Sequence, residues 1–178
     1  MATLVITVVG DDRPGLVSAL ADVIAEHGGS WERSQLAELA GKFAGIATVD
    51  VAEASAQALA DSLAGLTGVL DTTVHTAHPQ PEQPDDGGLL HLDLVGNDRP
   101  GIIKEITAAL AEHQVSVEDL QTKVVPTPQA GGDLFAARAR LRVPPGADLP
   151  GLRAGLERIA TELLVDLSFE PGGDVDWE

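Results

Sequence analysis

The chain contains no cysteine and no tyrosine, and its aromatic content is two tryptophans and three phenylalanines. Without cysteine there can be no disulfide, no thiolate metal site and no cysteine nucleophile. With so few rings, Ala, Val, Leu and Ile must fill the core. Basic residues are also scarce, 11 Lys and Arg against 28 Asp and Glu, for a net charge of −17 carried by both halves of the chain. Such a field repels a phosphate backbone, so direct nucleic-acid binding is not expected. No hydrophobic run is long enough to span a bilayer; the N-terminal "LVITVV" is a strand-length segment with no basic flank. The expectation is an acidic cytoplasmic protein that needs no cofactor and binds no membrane.

Present instead is a repeat. "VGDDRPGLVSAL" from Val9 returns as "VGNDRPGIIKEI" from Val95, and residues 9–27 match 95–113 at nine of nineteen places. A period of 86 residues suits a small domain present twice. In the first copy, alternating "TLVITVV" reads as a strand, and Leu16, Val17, Leu20, Val23 and Ile24 recur at helical spacing. Pro14 suits a first helical position, and Gly28-Gly29 stops the helix. "SWERSQLAEL" and "KFAGIATVDV" read as strands of a hairpin turning at Ala40-Gly41, followed by the helix "ASAQALADSLAGL" and the strand "VLDTTVHT". The second copy repeats the order, with a helix from Pro100 to about Glu112 and a longer hairpin loop, "PTPQAGGD".

The β-α-β-β-α-β order predicts an α+β fold of two ferredoxin-like units, each an antiparallel four-stranded sheet with two helices on one face. Residues 1–78 and 89–170 form the units. Residues 79–88, rich in proline and acid, are a linker, and 171–178 a flexible tail.

A turn ending in Pro-Gly at a helix start offers unpaired backbone N–H groups and the positive end of the helix dipole, which suit a carboxylate or phosphate. Gly15 and Gly101 lack a Cβ, so a ligand or a neighbouring backbone can come close. The competing reading is a tight structural connection, with Asp12 and Asp98 favourable beside the dipole.

Such a unit, with a first βα turn reading Gly-Asx-Asp-Arg-Pro-Gly, resembles an ACT domain, a regulatory module that binds amino acids. Two of them with no catalytic domain resemble the glycine cleavage system transcriptional repressor family. The resemblance implies a non-enzymatic sensor of a small amino acid such as glycine, acting through a protein partner such as a transcriptional regulator. It also implies side-by-side pairing of units, a homo-oligomer, and effector bound where the first turn of one unit meets its neighbour. The candidate ligand residues are then Asp11, Asp12, Arg13, Pro14, Gly15 and Leu16 in one unit, and Asn97, Asp98, Arg99, Pro100, Gly101 and Ile102 in the other. The N–H groups of Gly15, Leu16, Gly101 and Ile102 would hold the carboxylate, and Asp11, Asp12 or Asp98 the ammonium. Relatives that bind serine carry an amide just before Arg-Pro-Gly. Asp12 and Asp98 cannot donate there when ionised, so the ligand sits differently or a cradle is vestigial. The alternative is a structural or protein-interaction module with no ligand.

Other features point away from catalysis. His27 and His113 each end a helix, where the dipole favours them, and no nucleophile–base set, phosphate loop or metal spacing is visible. RNA binding would need aromatic residues on the central strands and a basic surface. Arg138, Arg140 and Arg142 share one strand face and are expected to pair with Asp93 and acids of the next strand. Both faces of "TLVITVV" are fairly apolar, so the face away from the helices is expected to be covered by another chain, with Trp31 contributing.

Overall fold

The computed structural model describes residues 1–77, 88–126 and 132–171. The expected linker, the longer hairpin loop and the tail fall, but for a few flanking residues, outside the described residues. The chain divides into two compact units, Met1–Gln80 and Pro81–Glu178.

The first unit runs β1 (Ala2–Asp11), α1 (Leu16–Glu26), β2 (Ser30–Leu39), β3 (Lys42–Val51), a 3-10 turn (Glu53–Ser55), α2 (Ala56–Ala64) and β4 (Asp71–Thr76). The second runs β5 (Leu89–Asn97), α3 (Ile102–Glu112), β6 (Ser116–Val125), β7 (Leu134–Arg142), α4 (Leu149–Leu163) and β8 (Val165–Pro171). The sheets have the orders β2-β3-β1-β4 and β6-β7-β5-β8, every neighbouring pair antiparallel. This is the expected α+β architecture, twice.

Period-two alternation in β1 sends Ala2, Leu4, Ile6 and Val8 into the core, and Leu90, Leu92 and Leu94 do the same from β5. Helical spacing of four buries Leu16, Leu20 and Ile24 on one stripe of α1, matched by Ile102, Ile106 and Leu110 on α3. With Leu59 and Leu63 of α2, or Leu152 and Leu156 of α4, these residues close a separate core in each unit. A fully buried leucine stabilises by roughly 1.5–3 kcal/mol, so these short lists dominate the stability.

The repeat holds to the level of irregularities. A β-bulge falls between Trp31 and Arg33 in β2 and, 86 residues on, between Val117 and Asp119 in β6. The β2–β3 hairpin turns at Ala40 and Gly41 with φ of 53° and 78°, the consecutive left-handed pair of a type I′ turn. Past α1 the chain turns through Gly28 at φ 67°, whereas past α3 the same left-handed position holds Gln114 at φ 58°.

Two expectations are corrected. The helices begin later than Pro14 and Pro100: α1 starts at Leu16 and α3 at Ile102, because Gly15 and Gly101 stand left-handed at the N-cap and break the helical run. Trp31 does not serve the outer face of the first sheet. It pairs with the buried Val49 and packs against the core of its own unit.

Candidate functional site

The two turns are positioned by the same four devices. The strand β1 or β5 delivers Asp11 or Asn97 at its end. A backbone bond then ties the turn to the neighbouring hairpin: Asp12 N–H donates to Gly41 O at 2.9 Å, and Asp98 N–H to Asp133 O at 2.8 Å. Next, the glycine at the N-cap adopts φ 93° in Gly15 and 97° in Gly101, a conformation that costs an L-residue about 1–2 kcal/mol. Finally, the buried Leu16 or Ile102 anchors the first helical position in the core.

The glycines of the motif therefore divide their work. Among the described residues, no atom lies within 4 Å of where a Cβ on Gly15 would stand, and near one on Gly101 only Glu105 Oε1 at 3.7 Å. These two are required by backbone conformation. Close approach belongs to Gly10 and Gly96 at the other end of the motif. A Cβ on Gly10 would lie 2.9 Å from Val69 O, and one on Gly96 would lie 2.7 Å from Val165 Cβ. The space before Gly15 and Gly101 is open, so a ligand or a backbone can come close there, although no backbone of the described residues does.

Among the described residues, no side chain caps the N-terminus of α1 or α3, so the N–H groups of the first turn face the open space beyond Gly15 and Gly101. Every motif residue from Asp11 to Gly15 and from Asn97 to Gly101 is exposed. The structure brings each set of six together on one rim of its own sheet.

Several of the candidate side chains are occupied within the chain. Lys42 hydrogen-bonds Asp11. That bond first, and the lysine's charge second, hold the Asp11 carboxyl below the usual carboxylate range. Arg13 donates to Gly68 O at 3.3 Å. In the second unit Arg99 pairs with Glu105 at 3.7 Å. Asn97 lies opposite Leu134, where Asp11 lies opposite Lys42. The two turns share a backbone but not a charge arrangement. Lys42, Gly41, Gly68, Glu105 and Asp133 carried no sequence signal of this role, since each comes from another element and meets the turn only in the fold. Gly10 and Gly96 did carry one: both sit within the repeated hexapeptide.

The remaining polar features are structural. His27 caps α1, its Nδ1 2.8 Å from Val23 O and its Nε2 3.1 Å from Ser62 Oγ, which ties the two helices of the unit together. Arg138 donates to Asp93 at 2.9 Å, Arg140 donates to Glu118 at 3.2 Å, and Arg142 pairs with Glu118 as well. The expected cross-strand pairing is thus present, and Glu118 sits at the bulge of β6. Among the described residues, no group of three His, Asp or Glu is placed to hold a metal ion, and no helix is long and apolar enough to cross a membrane.

Comparison with known proteins agrees with the architecture. The ACT domain model matches residues 2–76 and again 89–170. The glycine cleavage system transcriptional repressor of Escherichia coli (strain K12) is 27% identical over 165 residues, spanning 90% of this chain and 85% of that protein. The crystal structure of an unknown protein from Galdieria sulphuraria superposes with a TM-score of 0.86 at 26% identity, covering 97% of this chain and 99% of that one. A crystal structure described as a glycine cleavage system transcriptional repressor reaches a TM-score of 0.68 at 20% identity, covering 97% and 98%, a likeness of fold.

Proposed function

The chain belongs to the ACT domain family, and on that premise we propose that it is a non-enzymatic regulatory protein that senses a small amino acid, glycine among the first candidates. The observation that carries this reading is the uncapped helix start behind a left-handed glycine, built identically in both units and open to solvent. Such a start holds a carboxylate through backbone N–H groups and the helix dipole, with no basic side chain. The ammonium would fall to Asp12 or Asp98, because Asp11 is engaged by Lys42. Leu16 and Ile102 point into the cores, so their contribution to the ligand is the main-chain N–H.

The relationship to the Escherichia coli repressor points to transcriptional control, and as its target we favour a protein partner, such as a transcriptional regulator, over a nucleic acid. The net charge of −17 supports the same choice. Regulation then requires only that the partner distinguish the ligand-bound from the empty form. We place this activity in the cytoplasm, in a homo-oligomer.

One observation favours a second reading, a protein-interaction module with no ligand. The motif side chains Asp11, Arg13 and Arg99 are satisfied within their own unit, as a purely structural turn would have them. Calorimetric titration of the full chain with glycine and the other amino acids at millimolar concentration separates the two. A ligand at a hundred times its Kd stabilises by about 2.7 kcal/mol, so a binder also raises Tm by several degrees. Absence of any heat and any shift across the panel would overturn the sensor and leave the interaction module.

A further inference from the structure

We propose that the outer face of the first unit's sheet is a self-association surface, on which a second copy of this chain packs face to face. The inference is independent of whether the turns bind an amino acid.

Strand registers define that face residue by residue. One row across β2, β3, β1 and β4 holds Arg33, Thr48, Val5 and His75; the next holds Gln35, Ile46, Thr7 and Thr73; the next Ala37, Ala44, Val9 and Asp71. The centre is uncharged and rich in β-branched side chains, and it is open: Ile46 is 43% and Val9 48% exposed. Charge is confined to the periphery, with Arg33 on the β2 edge, Asp71 on the β4 edge, Asp11 with Lys42 at one end, and Asp50, which accepts from the Thr3 hydroxyl, at the other. An uncharged centre within a polar rim is the anatomy of a protein interface.

The second unit makes the contrast. Where the first face has Val5, Thr7, Ile46 and Thr48, the second has His91, Asp93, Arg138 and Arg140, with Arg138, Arg140 and Arg142 engaged by Asp93 and Glu118. A repeated fold has thus kept the centre of one outer face charged and that of the other uncharged.

Three arguments identify a second copy as the occupant. Between chains of −17, like charge opposes contact least where the facing surfaces carry no charge at their centre, and this face has such a centre. Stacking about a two-fold axis parallel to the strands lays the β2 rim over the β4 rim of the partner, with Arg33 in the row of His75 and two rows from Asp71. The area is also sufficient. Strands of ten, ten, ten and six residues give a face of roughly 600 Å². Two such faces bury about 1,200 Å², the lower bound of a stable specific interface. Face-to-face sheet packing at ~10 Å is the ordinary way to bury such rows.

The experiment is sedimentation equilibrium on the full chain and three variants, with circular dichroism to verify folding. Val9→Asp and Val95→Asp are a matched pair: both residues are half exposed, occupy equivalent positions in the two units, and alter net charge equally. The expected result is a dimer for the wild type and Val95→Asp, with Kd raised at least ~100-fold by Val9→Asp, because the buried charge enters the interface twice. Ile46→Asp, at the centre, is expected to act as Val9→Asp does. A wild-type monomer at a hundred micromolar would overturn the proposal. So would a dimer indifferent to both Val9→Asp and Ile46→Asp, or one broken by Val95→Asp instead.

Discussion

Alanine substitutions at Gly96 and Gly101 test whether the two glycines of one hexapeptide do different physical jobs. In Gly96→Ala the new methyl would stand 2.7 Å from Val165 Cβ and 2.9 Å from Val165 Cα, and would press into Val165 Cγ1. Val165 is buried and pairs with Gly96 across the β5–β8 ladder, so its backbone cannot retreat without breaking sheet hydrogen bonds. Overpacking of this kind costs about 1–3 kcal/mol, and a backbone-proximal clash belongs at the upper end. In Gly101→Ala the methyl meets only Glu105 Oε1, at 3.7 Å. The cost there is the φ of 97°, about 1–2 kcal/mol. The costs overlap, but their couplings do not. Val165→Ala removes the methyl that Gly96→Ala strikes, so the double variant should recover ~1 kcal/mol or more, whereas Gly101→Ala and Val165→Ala should add independently. Native-state hydrogen exchange at the amides of Ile106 and Leu110, in the second unit's core, reads both values in the intact chain. A loss of 2 kcal/mol appears there as roughly 30-fold faster exchange. Finding Gly101→Ala coupled to Val165, or Gly96→Ala uncoupled from it, would refute this division of roles.

Three further outcomes are expected. Gln114→Gly should stabilise the second unit by about 0.5–1 kcal/mol, because Gln114 holds the left-handed position that Gly28 fills in the first; thermal unfolding measures it, and a lower Tm would count against the argument. Glu118→Gln should destabilise by about 1–2 kcal/mol and Asp93→Asn by less than about 1 kcal/mol, since Glu118 is a quarter exposed and serves two arginines while Asp93 is half exposed and serves one; urea unfolding that ranks them the other way would be decisive. Lys42→Ala should return the Asp11 carboxyl upward toward the ordinary carboxylate range. A depressed folded pKa stabilises above the unfolded value and is lost as pH falls through the folded one, so the variant should also show a shallower stability loss in acid. Carboxyl-carbon NMR titration checks this, and an unmoved Asp11 would show that Lys42 is not the cause.

Much of the architecture was legible because it is local. The alternation of β1, the four-residue spacing of Leu16, Leu20 and Ile24, and the Ala40-Gly41 turn each follow from a few consecutive residues. The repeated hexapeptide marks two matching turns in the sequence itself. Misjudgements arose where a local rule met a nonlocal constraint. Pro14 and Pro100 satisfy the rule for a first helical position, yet a left-handed glycine follows each and delays the helix by two residues. Trp31 alternates as a surface residue only if β2 is regular, and a bulge after it shifts the count.

The sequence by itself determined the fold class, the duplication, the location of the turns and the acidity of the chain, because these depend on composition and on periods of two and four residues. Tertiary structure alone decided which glycine is pressed by Val165, that Lys42 engages Asp11, that Glu105 stands beside Arg99, and that one outer sheet face is uncharged at its centre while its counterpart is charged there. Those facts join residues on different strands and helices, and their distances are set by register and packing, which no stretch of sequence contains.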